Sequence, residues 1–552
     1  MHILLMVKYM FFNTIHKRIK IFFLFVIIMF ITIFGKVIYL QVFKYNKLKS
    51  GASDLWSREL PIEGDRGIIF DRNFDVLAGN LTTTSLVLIP NQIKDKELVS
   101  TKLSEILNVS KDEMDKHVYK KTSIERVHPE GRKLDFDTSN KISDLKLEGV
   151  YLVKEAKRYY PYNNSLSQVL GFVGIDNQGL SGLELEFDKY LTGKSGSIKY
   201  YSDAKGNKLE MNEIYTEPTN GMNLMLTINN ELQKSVEREL DNAVLKYNPE
   251  HALAIAMDPN TGEILAMASR PGFDPNNYQN YSIEEINRNL AIWASYEPGS
   301  TFKIITLASS IEENKVDLIK DTFYDGGHIQ VENARIKCWK AGGHGAETFL
   351  NVVENSCNPG FVVMGQKLGK EKLFNYINKF GFGSKTGVDL NGESKGIMFD
   401  LNRVGPVELA TISFGQRFDI TPIQLVRTVC CIVNGGTLFE PRIVKGVIDS
   451  ETNTYVESEP VVLNDNVVSK DTSEKMLSMM GTVVSIGTGK NAQVQGYTIG
   501  GKTGTSEDGV NTGKYVTSFC GVASTTDPEV VILITLYNPT GEGGHQGGGV
   551  AA

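Results

Sequence analysis

An uninterrupted apolar run near the amino terminus limits the chain more than any other feature of its sequence. Residues 21–40 read IFFLFVIIMFITIFGKVIYL and contain one charged side chain, Lys36. Twenty residues of α-helix are about 30 Å long, which is the thickness of the hydrocarbon core of a bilayer. Lys36 lies near one end of the run, where its ammonium group can reach the interface. The run therefore predicts a transmembrane helix over residues 21–40.

The residues on both sides of this run leave its orientation open. A cleaved signal peptide would need a shorter apolar region followed closely by a small-x-small cleavage site, and none follows residue 40. Basic residues lie before the run (Lys8, Lys17, Arg18, Lys20) and after it (Lys44, Lys47, Lys49). The charge asymmetry that normally sets orientation is therefore nearly absent. The sequence predicts a single anchor, with a tail over residues 1–20 and a large soluble body beyond it.

Composition indicates that this body is ordinary globular protein. The chain has 552 residues, a hydrophobic fraction of 41% and a formal net charge of -7. These values favour two or more domains and give no basic surface for nucleic acid. The five cysteines, at positions 338, 357, 430, 431 and 520, are too few for a disulfide framework.

Two domains of mixed secondary structure are predicted after the anchor. Residues 50–216 alternate short strand-like runs such as SLVLIP with charged helical stretches such as KDKELVSTKLSEIL. The polar stretch EPTNG at residues 217–221 marks a boundary. Residues 222–552 form the second domain, which opens with a helical pattern followed by two strand-like runs around the turn NTGE. The predicted fold class is therefore α+β.

Ser300 and Lys303 are the candidate nucleophile and base. In the segment EPGSTFK, residues 297–303, Pro and Gly precede a helical run, so Ser300 is expected at a helix start with Lys303 one turn later on the same face. A neutral lysine in that position can take the proton of the serine hydroxyl. Ser-x-x-Lys alone is a weak signal, because it more often marks only a solvated helix start.

Two further motifs complete a known set of three. Ser356 and Asn358 follow 56 residues after Ser300 and supply a hydroxyl for proton transfer and an amide that can hold the lysine and a substrate carbonyl. The third motif is KTGT at residues 502–505 in a strand-like context. Its lysine, Lys502, would lower the pKa of the neighbouring Lys303.

The third motif also predicts how an extended substrate binds. Strand alternation puts Lys502 and Gly504 on one face. The positive charge of the lysine would then meet the substrate, and the glycine, which has no side chain, would let the backbone of the substrate come close. The substrate could then pair along this edge as an added strand, with Thr503, Gly504 and Thr505 as substrate-binding residues. The backbone N–H groups of Ser300 and Thr505 are candidates for an oxyanion hole.

Together with further motifs, this set resembles the class B penicillin-binding proteins over essentially the whole chain. The further motifs are RGIIFDR (66–72), GLE (182–184), MDP (257–259), TGE (261–263), AMA (266–268), GQ (415–416) and TP (421–422). Residues 167–184, SQVLGFVGIDNQGLSGLE, are most similar to the division and sporulation branch. The resemblance implies a pedestal (dimerisation-type) domain, then a transpeptidase domain with a central antiparallel sheet flanked by helices.

The resemblance also implies a function outside the cytoplasmic membrane. Ser300 would be acylated by a D-Ala-D-Ala stem peptide of peptidoglycan, release the terminal D-alanine and pass the acyl group to the amine of a neighbouring stem. β-Lactam antibiotics would acylate the same serine, and the chemistry needs no cofactor. Members of this class are single-pass membrane proteins with a cytoplasmic tail. The implied partner is a membrane glycosyltransferase of the shape, elongation, division and sporulation type, contacted through the transmembrane helix and the Arg66 region. Relatives continue into a final helix after the position of residue 552, so this helix is expected to be missing here.

Three other functions share part of the motif set. A serine β-lactamase would have to activate water and would have no use for the pedestal domain or the anchor. A penicillin sensor usually carries several membrane spans. A noncatalytic scaffold of a septal or spore-cortex complex would not need Ser300, Lys303 and Lys502 together.

Cys338, His344 and Cys357 form a candidate zinc site, with Asp325 as the fourth ligand. Cys357 is the middle residue of the second motif, and His344 follows a turn-rich segment. Two thiolates, an imidazole and a carboxylate suit a closed, structural zinc site. The alternative interpretation is two small buried cysteines and a surface histidine.

A predicted hairpin supports the choice of Asp325. Residues 323–339, FYDGGHIQVENARIKCW, read as a hairpin that turns near residues 332–333. Pairing Gly327 with Ile336 would set Asp325 opposite Cys338 on the same face. His328 is the alternative fourth ligand, but alternation puts it on the other face.

Overall fold

The computed structural model of the chain mixes helices and strands throughout, as the α+β prediction requires. It describes residues 2–49, 57–122, 124–201, 214–507, 513–541, 544 and 546–552. The α-helices are α1 (His2–Ile38), α2 (Lys96–Leu107), α3 (Lys111–Val118), α4 (Phe136–Asp144), α5 (Ser167–Leu170), α6 (Gly182–Glu186), α7 (Asp188–Leu191), α8 (Asn230–Tyr247), α9 (Ile283–Asn287), α10 (Leu290–Trp293), α11 (Lys303–Glu312), α12 (Phe349–Glu354), α13 (Asn358–Leu368), α14 (Lys370–Lys379), α15 (Pro406–Ile412), α16 (Pro422–Val433), α17 (Lys470–Ser485) and α18 (Gly547–Val550). The strands are β1 (Ser57–Ile62), β2 (Ile69–Phe70), β3 (Val76–Leu88), β4 (Glu125–Arg126), β5 (Val150–Tyr159), β6 (Gly196–Tyr201), β7 (Ile214–Thr216), β8 (Asn223–Leu226), β9 (His251–Met257), β10 (Ile264–Arg270), β11 (Thr322–Asp325), β12 (His328–Val331), β13 (Ala334–Lys337), β14 (Gly345–Thr348), β15 (Leu438–Phe439), β16 (Val444–Ile448), β17 (Tyr455–Glu457), β18 (Val462–Asn464), β19 (Ile499–Glu507), β20 (Tyr515–Ala523) and β21 (Val530–Tyr537).

Helix α1 contains the predicted membrane anchor. The helix continues as a π-helical turn over Tyr39–Phe43, and Ile3–Phe43 is long and apolar enough to cross a membrane by length and composition. The predicted span of residues 21–40 lies inside it. The residues assigned to a tail are helical as well, and they contain neither proline nor glycine to interrupt the helix.

A small core of its own stabilises the head of the pedestal. Strand β3 pairs with β5 over ten residues, from Gly79 with Tyr159 to Leu88 with Val150. Helices α2, α3 and α4 cover this pair through buried apolar side chains, among them Leu86, Leu103, Met114 and Ile142.

A buried ion-pair network joins the two pedestal motifs. Arg66 Nε donates to Glu184 Oε2 at 2.6 Å, and Arg158 Nε donates to Glu184 Oε1 at 2.6 Å. Glu184 is fully buried, and Arg66, which also pairs with Asp188 at 2.7 Å, is 3% exposed. The Arg66 side chain is therefore part of the pedestal interior. The partner contact expected of the region around Arg66 stays a prediction.

One sheet contains strands from both predicted domains. Its order is β17-β16-β8-β2-β3-β4, with β5 paired to β3. The pedestal strand β2 lies parallel to β8, with Ile69 opposite Leu224, and β8 pairs in turn with β16. Glu263 adds an ionic bridge, because its carboxylate accepts from Arg72 at 2.9 Å and from Arg442 at 2.8 Å. Backbone hydrogen bonds therefore connect the pedestal to the second domain.

The second domain is built on an antiparallel sheet of five strands in the order β10-β9-β21-β20-β19. Helix α8, which precedes the hairpin β9–β10 as predicted, packs on one face with buried residues such as Leu240 and Tyr247. Helix α16 packs on the other face, and α11 lies in the same core. This arrangement confirms the expected central sheet flanked by helices, and it leaves β19 at one end of the strand order.

Candidate active site

Ser300 lies in the short 3-10 turn Gly299–Thr301, directly before helix α11. Residue 299 has a φ of +54°, and a Cβ on it would lie 2.7 Å from Thr505 O, so only glycine fits there. The Gly299 N–H donates to Gly415 O at 2.9 Å. These contacts hold the serine between strand β19 and the loop that follows α15.

Lys303 is buried and is bonded to the second motif. Its Nζ donates to Ser356 O at 2.8 Å, to Ser356 Oγ at 3.1 Å and to Asn358 Oδ1 at 2.6 Å. The residue is 1% exposed, and this burial lowers the pKa of Lys303 to about 7. A large fraction of the amine is therefore neutral near neutral pH, one helical turn from Ser300.

The hydroxyl of Ser356 lies between two lysine side chains. Lys502 Nζ donates to Ser356 Oγ at 2.8 Å, so that both lysines donate to the same hydroxyl oxygen. Burial lowers the pKa of Lys502, and repulsion from Lys303 lowers it further. Ser356 has a φ of +52°, which is rare for a residue with a side chain. Such strain is typical of functional positions and is offset here by the two lysine hydrogen bonds.

Strand β19 presents Lys502 and Gly504 on the face that meets the nucleophile turn, as alternation predicts. A Cβ on Gly504 would lie 2.3 Å from Ser518 Oγ and 2.9 Å from Thr301 Cγ2. The missing side chain therefore makes room for the nucleophile turn. Close approach of a substrate backbone at Gly504 stays a prediction, because these contacts involve only the protein itself.

The two threonines of the third motif point to the opposite face. Thr503 Oγ1 lies 3.1 Å from Thr488 Oγ1, and Thr505 Oγ1 accepts from Gly547 N at 2.9 Å. Because Gly547 occupies an acceptor position of the Thr505 hydroxyl, the hydrogen of that hydroxyl is free to be donated. Sequence reasoning missed Thr488 and Gly547, since neither belongs to a spaced motif.

Asp325, Cys338, His344 and Cys357 meet beside the second motif. Their ligand atoms all lie within 4.8 Å of one another. His344 Nδ1 is 2.9 Å from Asp325 Oδ2 and 3.5 Å from Cys338 Sγ, and Cys357 Sγ donates to Asp325 Oδ2 at 3.3 Å. The structure thus brings together all four residues of the predicted metal site.

Ionisation in this cluster depends on burial and on Asp325. Burial is the main cause that raises the pKa of Cys338, to about 11, and that of Cys357. Burial also acts to raise the pKa of Asp325, but hydrogen bonds from Cys338, the Gly327 N–H and His344 outweigh it and lower that pKa. In the absence of a metal the cluster therefore holds a carboxylate and two protonated thiols.

The hairpin β12–β13 has a different register from the predicted one. Ile336 pairs with Ile329, and not with Gly327. Asp325 belongs to another ladder, in which β11 pairs with β14 and Asp325 lies opposite Gly345. The prediction failed because the glycines at 326 and 327 separate β11 from β12, so Asp325 reaches the cluster from a second pair of strands.

His328, the alternative fourth ligand, lies outside the cluster. It is exposed, and its Nδ1 is 3.3 Å from Arg335 Nη2. Ranking His328 below Asp325 on the basis of strand alternation is consistent with this position.

Comparison with known proteins assigns the chain to a family. Residues 252–552 match the penicillin binding protein transpeptidase domain, and residues 61–226 match the penicillin-binding protein dimerisation domain. The chain belongs to the penicillin-binding protein transpeptidase family.

The relatives are similar over most of their length. Stage V sporulation protein D of Bacillus subtilis (strain 168) is 49% identical over 534 residues, which are 96% of this chain and 82% of the relative. Peptidoglycan D,D-transpeptidase FtsI of Escherichia coli (strain K12) is 30% identical over 539 residues, with 94% and 86% covered. The crystal structure of Penicillin Binding Protein 2X from Streptococcus thermophilus matches with a TM-score of 0.72 at 25% identity, over 87% of this chain and 77% of that one. These matches confirm the predicted family, its division and sporulation branch, and the fold.

Proposed function

We propose that this protein crosslinks peptidoglycan by serine D,D-transpeptidation, with Ser300 as the nucleophile. The observation that carries this proposal is the buried amine of Lys303, with its lowered pKa, one helical turn from a serine beside a terminal sheet strand. One relative is named a peptidoglycan D,D-transpeptidase, and a more similar one is named for sporulation. We therefore assign the reaction to cell division or spore cortex synthesis, and the timing of expression would separate these two roles.

Acylation begins when the Lys303 amine takes the hydroxyl proton of Ser300, directly or through Ser356. The Ser300 oxygen attacks the carbonyl carbon of the penultimate D-alanine, and the amide bond to the terminal D-alanine breaks. The departing amine takes the proton back from Lys303. In the second half, the amine of a neighbouring stem attacks the ester, the new amide forms, and the Ser300 hydroxyl is restored.

Strand β19 would bind the substrate in this reaction. The backbone N–H groups of Ser300 and Thr505 form the oxyanion hole, where one donor contributes about 3 kcal/mol to the transition state. The extended stem peptide pairs along Thr503, Gly504 and Thr505. Asn358 holds the substrate carbonyl next to Lys303, and Lys502 supplies positive charge.

Covalent labelling by a fluorescent penicillin tests this assignment. Ser300→Ala should abolish the label while the melting temperature stays close to that of the wild type, and Lys303→Ala should slow labelling by orders of magnitude. Lys320→Ala, an exposed lysine whose side chain is 86% accessible, is the matched control and should react normally. Label that persists on Ser300→Ala would disprove the assignment, and rapid loss of label from the wild type would indicate a β-lactamase.

We also propose the membrane arrangement. Residues 1–20 form a cytoplasmic tail, residues 21–40 cross the membrane once, residues 50–216 form the pedestal, and residues 222–552 form the transpeptidase domain outside the membrane. The partner is a membrane glycosyltransferase, which the transmembrane helix would contact.

A structural zinc ion held by Asp325, Cys338, His344 and Cys357 is the finer part of the proposal. Zinc–sulfur bonds of about 2.3 Å and zinc–nitrogen bonds of about 2.0 Å at a tetrahedral centre require a sulfur–nitrogen separation of about 3.5 Å. The separation of Cys338 Sγ from His344 Nδ1 is 3.5 Å. The set has no open position for water, so zinc would position Ser356 and Asn358 on either side of Cys357 and would take no part in the chemistry.

Metal analysis of the purified protein tests the zinc site. We expect about one zinc per chain in the wild type and in Cys431→Ser, whose cysteine lies in α16 outside the cluster, and much less in Cys338→Ser. Removal of zinc should lower both the melting temperature and the acylation rate. Because both thiols must lose protons, zinc affinity should rise with pH. Well under one zinc per chain together with full acylation would show that the cluster is ordinary buried structure.

A further inference from the structure

Arg417 has a backbone conformation that normally favours glycine. Its φ is +69°, a left-handed value at which a Cβ is unfavourable. The Arg417 N–H donates to Glu297 Oε1 at 2.9 Å. Glu297 lies three residues before Ser300, and its carbonyl oxygen accepts from Ser506 Oγ of strand β19 at 2.7 Å. The strained residue is therefore bonded directly to the segment that carries the nucleophile.

The residues on both sides of Arg417 are fixed to the same segment. The carbonyl of Gly415 accepts from the Gly299 N–H at 2.9 Å. The ring of Phe418, which is 2% exposed, packs edge-on against Phe302 with centroids 4.7 Å apart. Residues 415–418 therefore run alongside residues 297–302, and the backbone of Arg417 lies next to the segment that carries Ser300.

Within the described part of the chain, no close contact of the guanidinium explains why an arginine has this strained position. The side chain of Arg417 is 55% exposed, and Nη1 lies 3.9 Å from Glu408 Oε1. An exposed ion pair at this distance contributes little to stability. The guanidinium is therefore exposed and available to a ligand.

We propose that Arg417 is a specificity-determining residue that binds a carboxylate of the donor stem peptide during acylation of Ser300. This inference rests on the proposed function, because it takes the acyl part of the donor to lie along the rim of the site. Stem peptides carry carboxylates in addition to the one at their terminus. A guanidinium binds a carboxylate through two parallel hydrogen bonds, which a lysine in the same position reproduces only in part.

Two penicillins that differ by a single carboxylate on the acyl side chain test this role. Carbenicillin is benzylpenicillin with a carboxylate on its benzylic carbon. In Arg417→Gly we expect the second-order acylation rate constant with carbenicillin to fall about 10-fold, because one hydrogen bond between charged groups is lost. With benzylpenicillin, which lacks this carboxylate, the rate constant should fall less than about 2-fold. Arg417→Lys should lie between, and Arg238→Ala, which removes an arginine from the exposed surface of α8, should leave both rates unchanged.

Stability gives an independent readout of the same variant. Replacing Arg417 by glycine removes the backbone strain, so the melting temperature should rise by about 2 °C while the reaction with carbenicillin slows. Equal slowing with both penicillins, or no slowing with either, would overturn the inference and leave the proposed function standing. A wild type that benzylpenicillin does not acylate would overturn both.

Discussion

Lowering the pH should switch off acylation of Ser300 with a midpoint near 7, because Lys303 accepts the serine proton only as a neutral amine. Burial lowers the pKa of this lysine from 10.5 to about 7. A base with that pKa is about nine-tenths neutral at pH 8 and about 3% neutral at pH 5.5. We therefore expect acylation to be about 30-fold slower at pH 5.5. An unshifted lysine would be only about 0.3% neutral at pH 8, so burial supplies roughly 300-fold more base.

The same pKa shift should appear in the stability of the fold. In the unfolded chain Lys303 keeps its proton up to a pH of 10.5, and in the folded protein only up to about 7. Between these values the unfolded state binds more protons, so the free energy of unfolding rises with pH through this group, by up to about 1.4 kcal/mol per pH unit. Lys303→Met removes the group. Between pH 7.5 and 9 the free energy of unfolding of this variant should therefore rise by about 2 kcal/mol less than that of the wild type.

Stopped-flow measurement of penicillin acylation from pH 5 to 9.5 at fixed ionic strength provides the assay. Circular dichroism at each pH confirms that the protein stays folded, and Lys320→Ala should reproduce the wild-type profile. A rate that is flat between pH 5.5 and 9, or a midpoint close to that of free lysine, would refute the assignment of Lys303 as the base.

The pedestal and the anchor give two further predictions. Glu184→Ala leaves the guanidinium of Arg158 buried without its counter-charge and leaves Arg66 paired only with Asp188. It should reduce the free energy of unfolding measured in urea by about 3–5 kcal/mol; a reduction below about 1 kcal/mol would show that water or other groups compensate. Deleting residues 1–40 should give a protein that stays in solution without detergent and is acylated by penicillin at the wild-type rate; a folded truncated protein that fails to react would contradict the modular arrangement.

The sequence predicts the catalytic set better than it predicts the surroundings of that set. Ser300 and Lys303 share one helical turn, and Lys502 and Gly504 share one strand face. Their spacing along the sequence therefore predicts directly that the members of each pair lie on the same face. The members of the candidate zinc site, Asp325, Cys338, His344 and Cys357, were predictable because these residue types suit a zinc ion. The strand register of this site was not, because the glycines at 326 and 327 end one ladder and start another without changing the apolar pattern.

Contacts between distant parts of the chain left no periodic signal. The positive φ of Ser356 and of Arg417 results from packing against other segments. Neither serine nor arginine is a residue type that predicts a positive φ. The pairing of Ile69 with Leu224 likewise joins two short strands whose own sequences indicate only that they are apolar. Such pairings are decided by tertiary structure, which local patterns do not record.

The sheet shared by the pedestal and the transpeptidase domain holds these two domains at a fixed separation. A hinge between two domains needs a connection that few contacts cross, whereas here the ladders between β2, β8 and β16 would have to break before the pedestal could rotate. The separation between the pedestal strand β2 and Ser300 is consequently set by the fold itself. In the proposed membrane arrangement, this fixed separation would set the distance from the pedestal at which Ser300 meets a stem peptide.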